Sequence, residues 1–449
     1  MSETEELVRF IANSTISDIP QEDIANAKRA IRDYLGVALY GSHHAVGSIV
    51  WDYISATGGT GECTVIGRGQ ASAPNAALAN GAFGHAIDFD DTFESIVIHP
   101  TSPVFAASLA ATETADGTTS DLLTGYAVGC EVAYRIGHST YPEHYQNGWH
   151  STGTIGSFGA CAAAGSILDL DTDELVNAIG IVASLSSALK KNFGSMTKPL
   201  HAGHAAEMGV RSALLASKGF TADQAVLDGD MGYGNVMTIQ EGYDPDIITS
   251  ELGTQWNVTD IGYKPYPSGV ITHAAMDAMR DLVEEHELSV DTVETITVSL
   301  EEAASEMLIH AQPENALQAK FSIEFCLAAI LLEGQAGIFE FTDEFVEQQT
   351  TREAIDKVER DFKEDLFGDD FAGYGAIIKV DCSDGTTLET EERYAPGSPN
   401  NPLGEERLVA KFTECAGTQL SEEHVEQLQT EIENIDHDAE ISSLTNLLR

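Results

Sequence analysis

The spacing of hydrophobic residues changes twice along this chain of 449 residues, and that change constrains its fold class. Apolar residues recur at helical spacing from residue 1 to about 262 and again from about 402 to 449. Between 263 and 401, several segments instead alternate between apolar and polar residues, as β-strands do. The sequence therefore predicts a mostly α protein. A large all-helical domain, residues 1–262 and 402–449, carries an inserted α+β domain of residues 263–401.

The inserted segment is predicted to contain three strands. They are expected at residues 293–300, 374–382 and 386–394, where β-branched residues alternate with polar ones. A Ser-Asp-Gly sequence between the last two is typical of a hairpin turn. Helical stretches are expected near residues 316–333 and 342–360. This mixture of elements is the basis for the α+β assignment.

The composition argues against several classes of partner. The chain has 72 acidic and 23 basic residues, a net charge of −49 and a pI near 4.3. Nucleic acids and anionic membrane surfaces attract cationic proteins, so we expect neither as a partner. A hydrophobic content of 43% argues against a disordered chain. The simplest interpretation is a folded, halophile-like protein with a solvated acidic surface.

The cysteines and apolar runs predict neither a metal site nor a membrane anchor. Six cysteines are scattered without CxxC spacing, so we expect no disulfide framework and no zinc or iron–sulfur centre. His201, His204 and Glu207 lie on one helical face but do not form the HExxH pattern, and we reject them as a metal site. The N-terminus lacks signal-peptide features, and no uncharged apolar run reaches membrane-spanning length. We therefore expect a cytoplasmic protein.

Chemically active side chains are concentrated in GAFGHAIDFDDTFESIVIHPTSPV, residues 81–104. If the helix predicted just before this segment continues, His85, Asp88 and Thr92 lie at i, i+3 and i+7 on one face. His99 follows in a His-Pro pair. The glycines would allow another backbone to approach closely. The alternative is structural, with Asp88 capping a helix end and the histidines buried as satisfied polar groups.

Two further candidates lie beside predicted helix starts. His150 precedes a glycine-rich helix over residues 151–168, and a helix N-terminus favours an anion. Lys198 precedes another predicted helix, lies in an uncharged segment, and is one of only 11 lysines. We interpret both as candidates for anion binding or catalysis. The alternatives are a packing histidine and a surface lysine.

A third candidate region is the loop KPYPSG, which contains Lys264 and Ser268. Two prolines stiffen this loop at the predicted domain junction, and ligand sites often lie at such junctions. His273 follows at the start of the next predicted helix. The alternative is a lysine that only stabilises the junction.

Six motifs, in order over nearly the whole chain, together resemble one family. They are DFDDT followed by HP, WH before the glycine-rich helix, KPLHAGHAA, KPYPSGVITH, AKFS and GSPNNPL. This set is similar to the MmgE/PrpD family, which includes 2-methylcitrate dehydratase, cis-aconitate decarboxylase and iminodisuccinate epimerase. The resemblance implies a large helical domain formed by both chain ends, a smaller α+β lid, a homodimer, and no metal or organic cofactor.

The resemblance also implies a site and a chemistry. It implies catalytic roles for Asp88, His99, His150, Lys198 and Lys264. It also places Thr92 in the site, and we expect Thr92, His85, Ser268 and His273 to bind the substrate. The lysines would stabilise a carboxylate dianion, the histidines would transfer protons, and Asp88 would orient a histidine.

The family's substrates are small di- or tricarboxylates with an acidic C–H bond next to a carboxylate. The leading expectation is therefore a cofactor-independent lyase of the 2-methylcitrate dehydratase type that abstracts such a proton. The alternatives are a cis-aconitate decarboxylase, an epimerase or isomerase of an aspartate-like dicarboxylate, and a non-catalytic carboxylate-binding protein.

The sequence departs from the family pattern in three places. The spacing between Thr92 and His99 is one residue longer than in the decarboxylase. Phe325 stands where a tyrosine is common, and Gly269 stands where relatives often have cysteine or histidine. The last two changes are expected to remove polar groups near the substrate and thus to affect which substrate is accepted.

The net charge of −49 predicts that stability rises with salt. Repulsion among carboxylates is screened within a Debye length of about 3 Å at 1 M salt. The melting temperature, followed by circular dichroism, should therefore increase between low and molar KCl. An unchanged melting temperature would contradict the halophile interpretation.

Overall fold

The computed structural model describes residues 2–58, 60–227, 229–238, 242–368, 371 and 373–449. Twenty α-helices and eight strands lie in this part of the chain. In chain order the helices are α1 (Glu3–Asn13), α2 (Gln21–His43), α3 (Ala45–Thr57), α4 (Ala73–Gly84), α5 (Thr101–Thr114), α6 (Thr119–Thr140), α7 (Glu143–Gln146), α8 (Ser151–Ile167), α9 (Thr172–Leu185), α10 (Thr197–Ala216), α11 (Tyr233–Met237), α12 (Asp246–Thr249), α13 (His273–His286), α14 (Ala316–Ala319), α15 (Ile323–Glu333), α16 (Asp343–Glu347), α17 (Gln349–Ile355), α18 (Glu405–Gly417), α19 (Glu422–Glu433) and α20 (Ser442–Thr445).

The strands are fewer and shorter than the helices. They are β1 (Cys63–Val65), β2 (Gly69–Ala71), β3 (Thr92–Phe93), β4 (Ile261–Gly262), β5 (Val293–Glu301), β6 (Val358–Lys363), β7 (Ala376–Cys382) and β8 (Thr387–Glu392). The predicted fold class, mostly α with a smaller α+β part, is confirmed. Among the helices described, none combines the length and low polarity that crossing a membrane would require.

The chain divides into two compact units. The larger unit comprises Met1–Ala86, Asp90–Gly262 and Leu408–Arg449, and the smaller unit comprises Ile87–Phe89 and Tyr263–Arg407. The three residues Ile87–Phe89 are thus grouped with a part of the chain far from them in sequence. The division into two domains at the predicted boundaries stays a prediction.

Helix α8 packs against α5, α6, α9 and α10 in the larger unit, and its residues from Ser151 to Gly165 are buried. Glycines bring the helix backbones close together. A Cβ added at Gly159 would lie 2.7 Å from the carbonyl oxygen of Gly129 in α6. A Cβ added at Gly81 in α4 would lie 2.9 Å from the carbonyl oxygen of Ala202 in α10. The prediction that glycines allow close backbone approach is confirmed for Gly81 and Gly159.

The predicted continuation of α4 through Thr92 is wrong. The helix ends at Gly84, where an added Cβ would lie 2.7 Å from the Ser102 hydroxyl oxygen, and the chain then turns. Asp88 has φ of 58°, a left-handed conformation that a continuing helix does not allow. Thr92 belongs to strand β3, which pairs with β4. His85, Asp88 and Thr92 therefore do not share a helical face.

The smaller unit contains a four-stranded sheet in the order β6-β5-β7-β8. Strand β7 pairs antiparallel with both β5 and β8, and Gly385 in the turn between β7 and β8 has φ of 85°. Alternate residues of β7 are buried. The three strands predicted from alternation, and the hairpin between the last two, are confirmed.

The fourth strand, β6, was not predicted. Its residues fall partly in the stretch expected to be helical, but α17 ends at Ile355 and β6 begins at Val358. Strand β6 pairs parallel with β5, with Val358 opposite Ile296. This pairing links positions 62 residues apart, and β6 lies at the edge of the sheet, where alternation is weak. Local periodicity therefore did not reveal it.

The substitution Gly159→Ala tests the close approach of α6 and α8. It should lower the free energy of unfolding by about 1–3 kcal/mol, because the new Cβ forces the two backbones apart. Urea unfolding followed by circular dichroism measures this change.

Gly417→Ala is the matched control for this substitution. No atom of the described residues lies within 4 Å of a Cβ added at Gly417. This change should leave stability unchanged or raise it by up to about 1 kcal/mol. Equal stability of the two variants would contradict the packing argument.

Candidate active site

Four buried histidines lie together in the larger unit: His85, His99, His150 and His201. The ring centroid of His85 is 4.4 Å from that of His99 and 5.9 Å from that of His150. The Nδ1 atoms of His150 and His201 are 3.0 Å apart, so one ring donates a hydrogen bond to the other. These rings come from the end of α4, the loop before α5, the start of α8 and the first turns of α10. Helix ends distant in sequence thus form one imidazole cluster.

Asp90 is the carboxylate bound to this cluster. Its Oδ1 accepts a hydrogen bond from His85 Nδ1 at 2.9 Å and lies 3.4 Å from His99 Nδ1. Its Oδ2 accepts a hydrogen bond from the Ser102 hydroxyl at 2.6 Å. The family resemblance implied a histidine-orienting role for Asp88, and Asp90 was not among the predicted site residues. The sequence does contain a signal for this role, because Asp90 is the second aspartate of the DFDD motif and lies five residues after His85.

Lys198 lies in the first turn of α10, which begins at Thr197. Only 6% of the Lys198 surface is exposed, so the alternative of a surface lysine is wrong. Its Nζ is 5.4 Å from the centroid of the Phe193 ring, and that ring packs edge-on against His150 at 4.9 Å. The loop before α10 also binds His150 directly, because the carbonyl oxygen of Ala188 accepts a hydrogen bond from the His150 amide at 3.1 Å.

Burial sets the charge of these histidines. It lowers the pKa of His85 to about 3 and that of His201 to about 4, and the charge of Lys198 lowers both further. Burial and then Lys198 also hold the pKa of His150 well below its usual value. Near pH 7 these three rings are therefore neutral, and Lys198 supplies a positive charge beside them. Such a group of side chains favours an anion.

Asp88 and Lys264 form a buried ion pair in the smaller unit. Lys264 Nζ donates to Asp88 Oδ1 at 2.5 Å, to the Asp88 carbonyl oxygen at 3.1 Å and to the Ser268 carbonyl oxygen at 3.1 Å. His273 Nε2 donates to that same Ser268 oxygen at 3.3 Å. Four of the predicted site residues are thus brought together here.

Lys320 is a buried cation that the sequence analysis did not select. Its Nζ donates to the carbonyl oxygens of Ile87 at 2.6 Å and of Pro267 at 3.0 Å. It therefore connects the residue before Asp88 to the loop that carries Lys264. Its position in the AKFS motif was the available signal.

The predicted site residues fall into two groups. The larger unit contains Thr92, His85, His99, His150 and Lys198, with Thr92 buried in β3. The smaller unit contains Asp88, Lys264, Ser268 and His273. Action of all of these residues on one substrate stays a prediction.

The two departures from the family pattern in the smaller unit have different surroundings. Phe325 is fully buried in the hydrophobic core, with its ring centroid 5.2 Å from that of Phe341 and 6.1 Å from that of Phe345. Its role is core packing, contrary to the expectation of a position beside the substrate. Gly269 donates its amide to the Lys320 carbonyl oxygen at 3.0 Å, and no neighbour lies closer than 3.7 Å to an added Cβ.

His85, Asp90 and His99 are of the residue types that bind metal ions. In this structure Asp90 lies at hydrogen-bond distance from His85 and Ser102. Hydrogen bonds therefore account for the arrangement of the cluster. The available donors and acceptors suit proton transfer and the binding of carboxylates.

Comparisons with known proteins identify the family of this chain. Residues 5–246 match the MmgE/PrpD N-terminal domain, and residues 266–437 match the MmgE/PrpD C-terminal domain. The chain is 28% identical to the cis-aconitate decarboxylase of Homo sapiens, over 99% of this chain and 94% of that protein. It is 26% identical to the cis-aconitate decarboxylase of Aspergillus terreus, over 99% of this chain and 95% of that protein.

These matches cover almost the whole chain. The chain belongs to the MmgE/PrpD family. The predictions of this family and of an enzyme of the lyase class are confirmed.

The lowered pKa values of the histidines predict that anion binding takes up protons. A bound polycarboxylate favours the charged form of nearby imidazoles and so raises their pKa, and protons move from solution to the site. The affinity of the site for a polycarboxylate should therefore increase as the pH falls from 8 to 6. Titration calorimetry with propane-1,2,3-tricarboxylate, in two buffers of different ionisation enthalpy, counts the protons.

His201→Asn is the comparison variant for this measurement. It removes one of the imidazoles beside Lys198 and should reduce the number of protons taken up. Binding without proton uptake in the unmodified protein would contradict the assignment of neutral histidines in the free site.

Proposed function

We propose that this chain is a cofactor-independent carboxy-lyase that decarboxylates a small tricarboxylate of the cis-aconitate type. The observation that carries the proposal is Lys198, a buried cation beside neutral histidines. The relatives named above, which match over 99% of the chain, support decarboxylation more than the dehydration that the sequence analysis favoured. The dehydratase assignment therefore becomes the second candidate.

The proposed reaction needs one carboxylate attached through a CH₂ group to a carbon–carbon double bond. The bond between the CH₂ carbon and that carboxylate breaks, and CO₂ leaves. The electron pair shifts into the double-bond system, and the carbon at its far end takes up a proton. The products are CO₂ and a five-carbon unsaturated dicarboxylate. Atoms and charge balance with one proton supplied by the enzyme.

The residues of the larger unit suit this reaction. Lys198 would bind a carboxylate of the substrate and stabilise the charge that spreads over the carbanion. His99 and His150 are the candidate proton donors, because an imidazole charged on anion binding can deliver its proton to carbon. The tight hydrogen bond between His150 and His201 would orient the His150 ring. The proposed decarboxylation requires a cation and a proton donor next to each other.

The buried Asp88–Lys264 pair has a proposed role in the same reaction. Lys264 would supply a second positive charge to the substrate, as the family resemblance implies. Asp88 accepts its hydrogen bond and would hold the Nζ atom in a fixed place.

Three broader expectations remain proposals. A homodimer, a cytoplasmic location and a halophile-like acidic surface would each be consistent with the family and the charge of −49. Light scattering and the melting temperature as a function of salt address the first and last of these.

The test of function is incubation of the protein with cis-aconitate, followed by proton NMR. We expect loss of one carbon and the appearance of a terminal alkene CH₂ signal. Parallel reactions with 2-methylcitrate and citrate distinguish dehydration, which forms an alkene without releasing CO₂. Dehydration without decarboxylation would favour the second candidate, and no conversion of any of the three substrates would remove both.

Lys198→Met tests the cation, because methionine retains most of the stem volume. The value of kcat/KM should fall on the order of 10²–10³, as when one oxyanion donor is removed. Lys218→Met is the control, since Lys218 is exposed beyond the end of α10. Lys28 is less suitable because it binds Asp436 at 2.6 Å. Equal activity of the Lys198 and Lys218 variants would exclude Lys198 from the mechanism.

A further inference from the structure

Two adjacent buried aspartates in the larger unit bind different partners. Asp90 binds His85 and the Ser102 hydroxyl and contacts His99, as described above. Asp91 binds Thr101 instead, accepting from its amide at 3.3 Å and from its hydroxyl. The Thr101 hydroxyl in turn lies 2.6 Å from the Tyr126 hydroxyl. Only the first of these networks includes candidate catalytic groups.

We propose that Asp90 is the positioning residue of the histidine cluster and that Asp91 has a structural role only. Asp90 fixes the tautomer of His85 and stabilises the positive charge that His99 carries when it takes up a proton. This inference rests on the proposed function, since it assigns a role in the same reaction. It goes beyond the family-implied set, in which Asp88 was the carboxylate paired with a histidine.

The geometry determines the tautomer of His85. An ionised carboxylate only accepts hydrogen bonds, so the 2.9 Å contact requires a proton on His85 Nδ1. In the neutral ring the other nitrogen, Nε2, is then an acceptor. Nε2 is buried and has no hydrogen-bond partner among the described residues. His85 thus presents a free lone pair inside the cluster, available to a proton of the substrate or of His99.

The pKa values of the two aspartates are shifted in opposite directions. Burial opposes ionisation of Asp90, but its interactions with His85 and His99 outweigh burial and hold its pKa well below the usual value. Burial raises the pKa of Asp91 well above its usual value, against the hydrogen bonds from Thr101. The carboxyl group of Asp90 is therefore more acidic than that of Asp91. Asparagine has nearly the shape of aspartate but carries no charge, so Asp90→Asn removes the anion beside the histidines.

Other titratable groups act on the same atoms. Three groups interact electrostatically with Asp90, namely Asp33, Asp91 and Tyr34. Lys198 interacts in the same way with both His85 and His150, and these two histidines interact with each other. None of these groups is changed by the substitutions below except Asp91. The comparison of two neighbouring substitutions therefore isolates the contact of Asp90 with the histidines.

The experiment compares Asp90→Asn with Asp91→Asn in the full-length protein, with cis-aconitate as substrate. For Asp90→Asn, kcat should fall on the order of 10²–10⁴, as when the carboxylate behind a catalytic histidine becomes an amide, with little change in KM. The limb of the pH profile set by the histidine should move to lower pH, because loss of the anion lowers the imidazole pKa. Asp91→Asn should keep kcat within about threefold and leave the pH profile in place.

Three results would overturn the proposal. They are equal losses of kcat in the two variants with unchanged pH profiles, full activity of Asp90→Asn, and a larger loss in Asp91→Asn. Melting temperatures of both variants separate loss of fold from loss of function.

A variant-free measurement keeps the proposal testable if Asp90→Asn does not fold. In protein labelled with ¹⁵N-histidine, His85 should give the Nδ1–H tautomer, with that proton shifted downfield by its carboxylate partner. The Nε2–H tautomer would overturn the proposal. This readout needs no substrate, so failure of the proposed function, seen as no conversion of cis-aconitate, remains distinguishable from failure of the role of Asp90.

Discussion

The close packing of α4, α8 and α10 is the constraint on which the histidine cluster depends. His85 follows the last residue of α4, His150 precedes the first residue of α8, and His201 lies in α10. The His150 ring can lie within 6 Å of each of the other two rings only because the helices bearing them pack closely. Gly81 supplies that proximity between α4 and α10, where a side chain would meet a backbone carbonyl. The small residues of the core are thus a requirement of the site as well as of the fold.

This packing has an electrostatic consequence. A close-packed interior excludes water, and an imidazole without water prefers its neutral form. Lys198 strengthens that preference in three histidines at once. A chain with a net charge of −49 thereby keeps a local positive charge where an anionic substrate would bind. Under the proposed function, binding of an anion would raise the pKa values of these three histidines and so couple substrate binding to protonation.

The sequence was a good guide where local patterns decide the structure. The strand at Val293–Glu301 and the start of α8 at Ser151 follow from alternation and from a helix-start signal. Lys198 could be selected because lysine is rare in this chain. Two features could not be predicted from local patterns, because each depends on residues elsewhere in the sequence. Strand β6 exists through parallel pairing with β5, and the importance of Asp90 depends on His99 and Ser102, which follow it by nine and twelve residues.

The end of α4 at Gly84 made the helix prediction wrong, and it also gives the site its chemistry. Had α4 continued, side chains of Asp90 and Asp91 would point only about 100° apart on one helix. The turn after Gly84 and the left-handed backbone of Asp88 break that geometry. Asp90 can then face His85 while Asp91 faces Thr101. The pKa of the first acid is lowered beside the imidazoles, and that of its neighbour is raised in a separate hydrogen-bond network. The irregular backbone, costly in a helix, is what lets two consecutive acidic residues bind different partners.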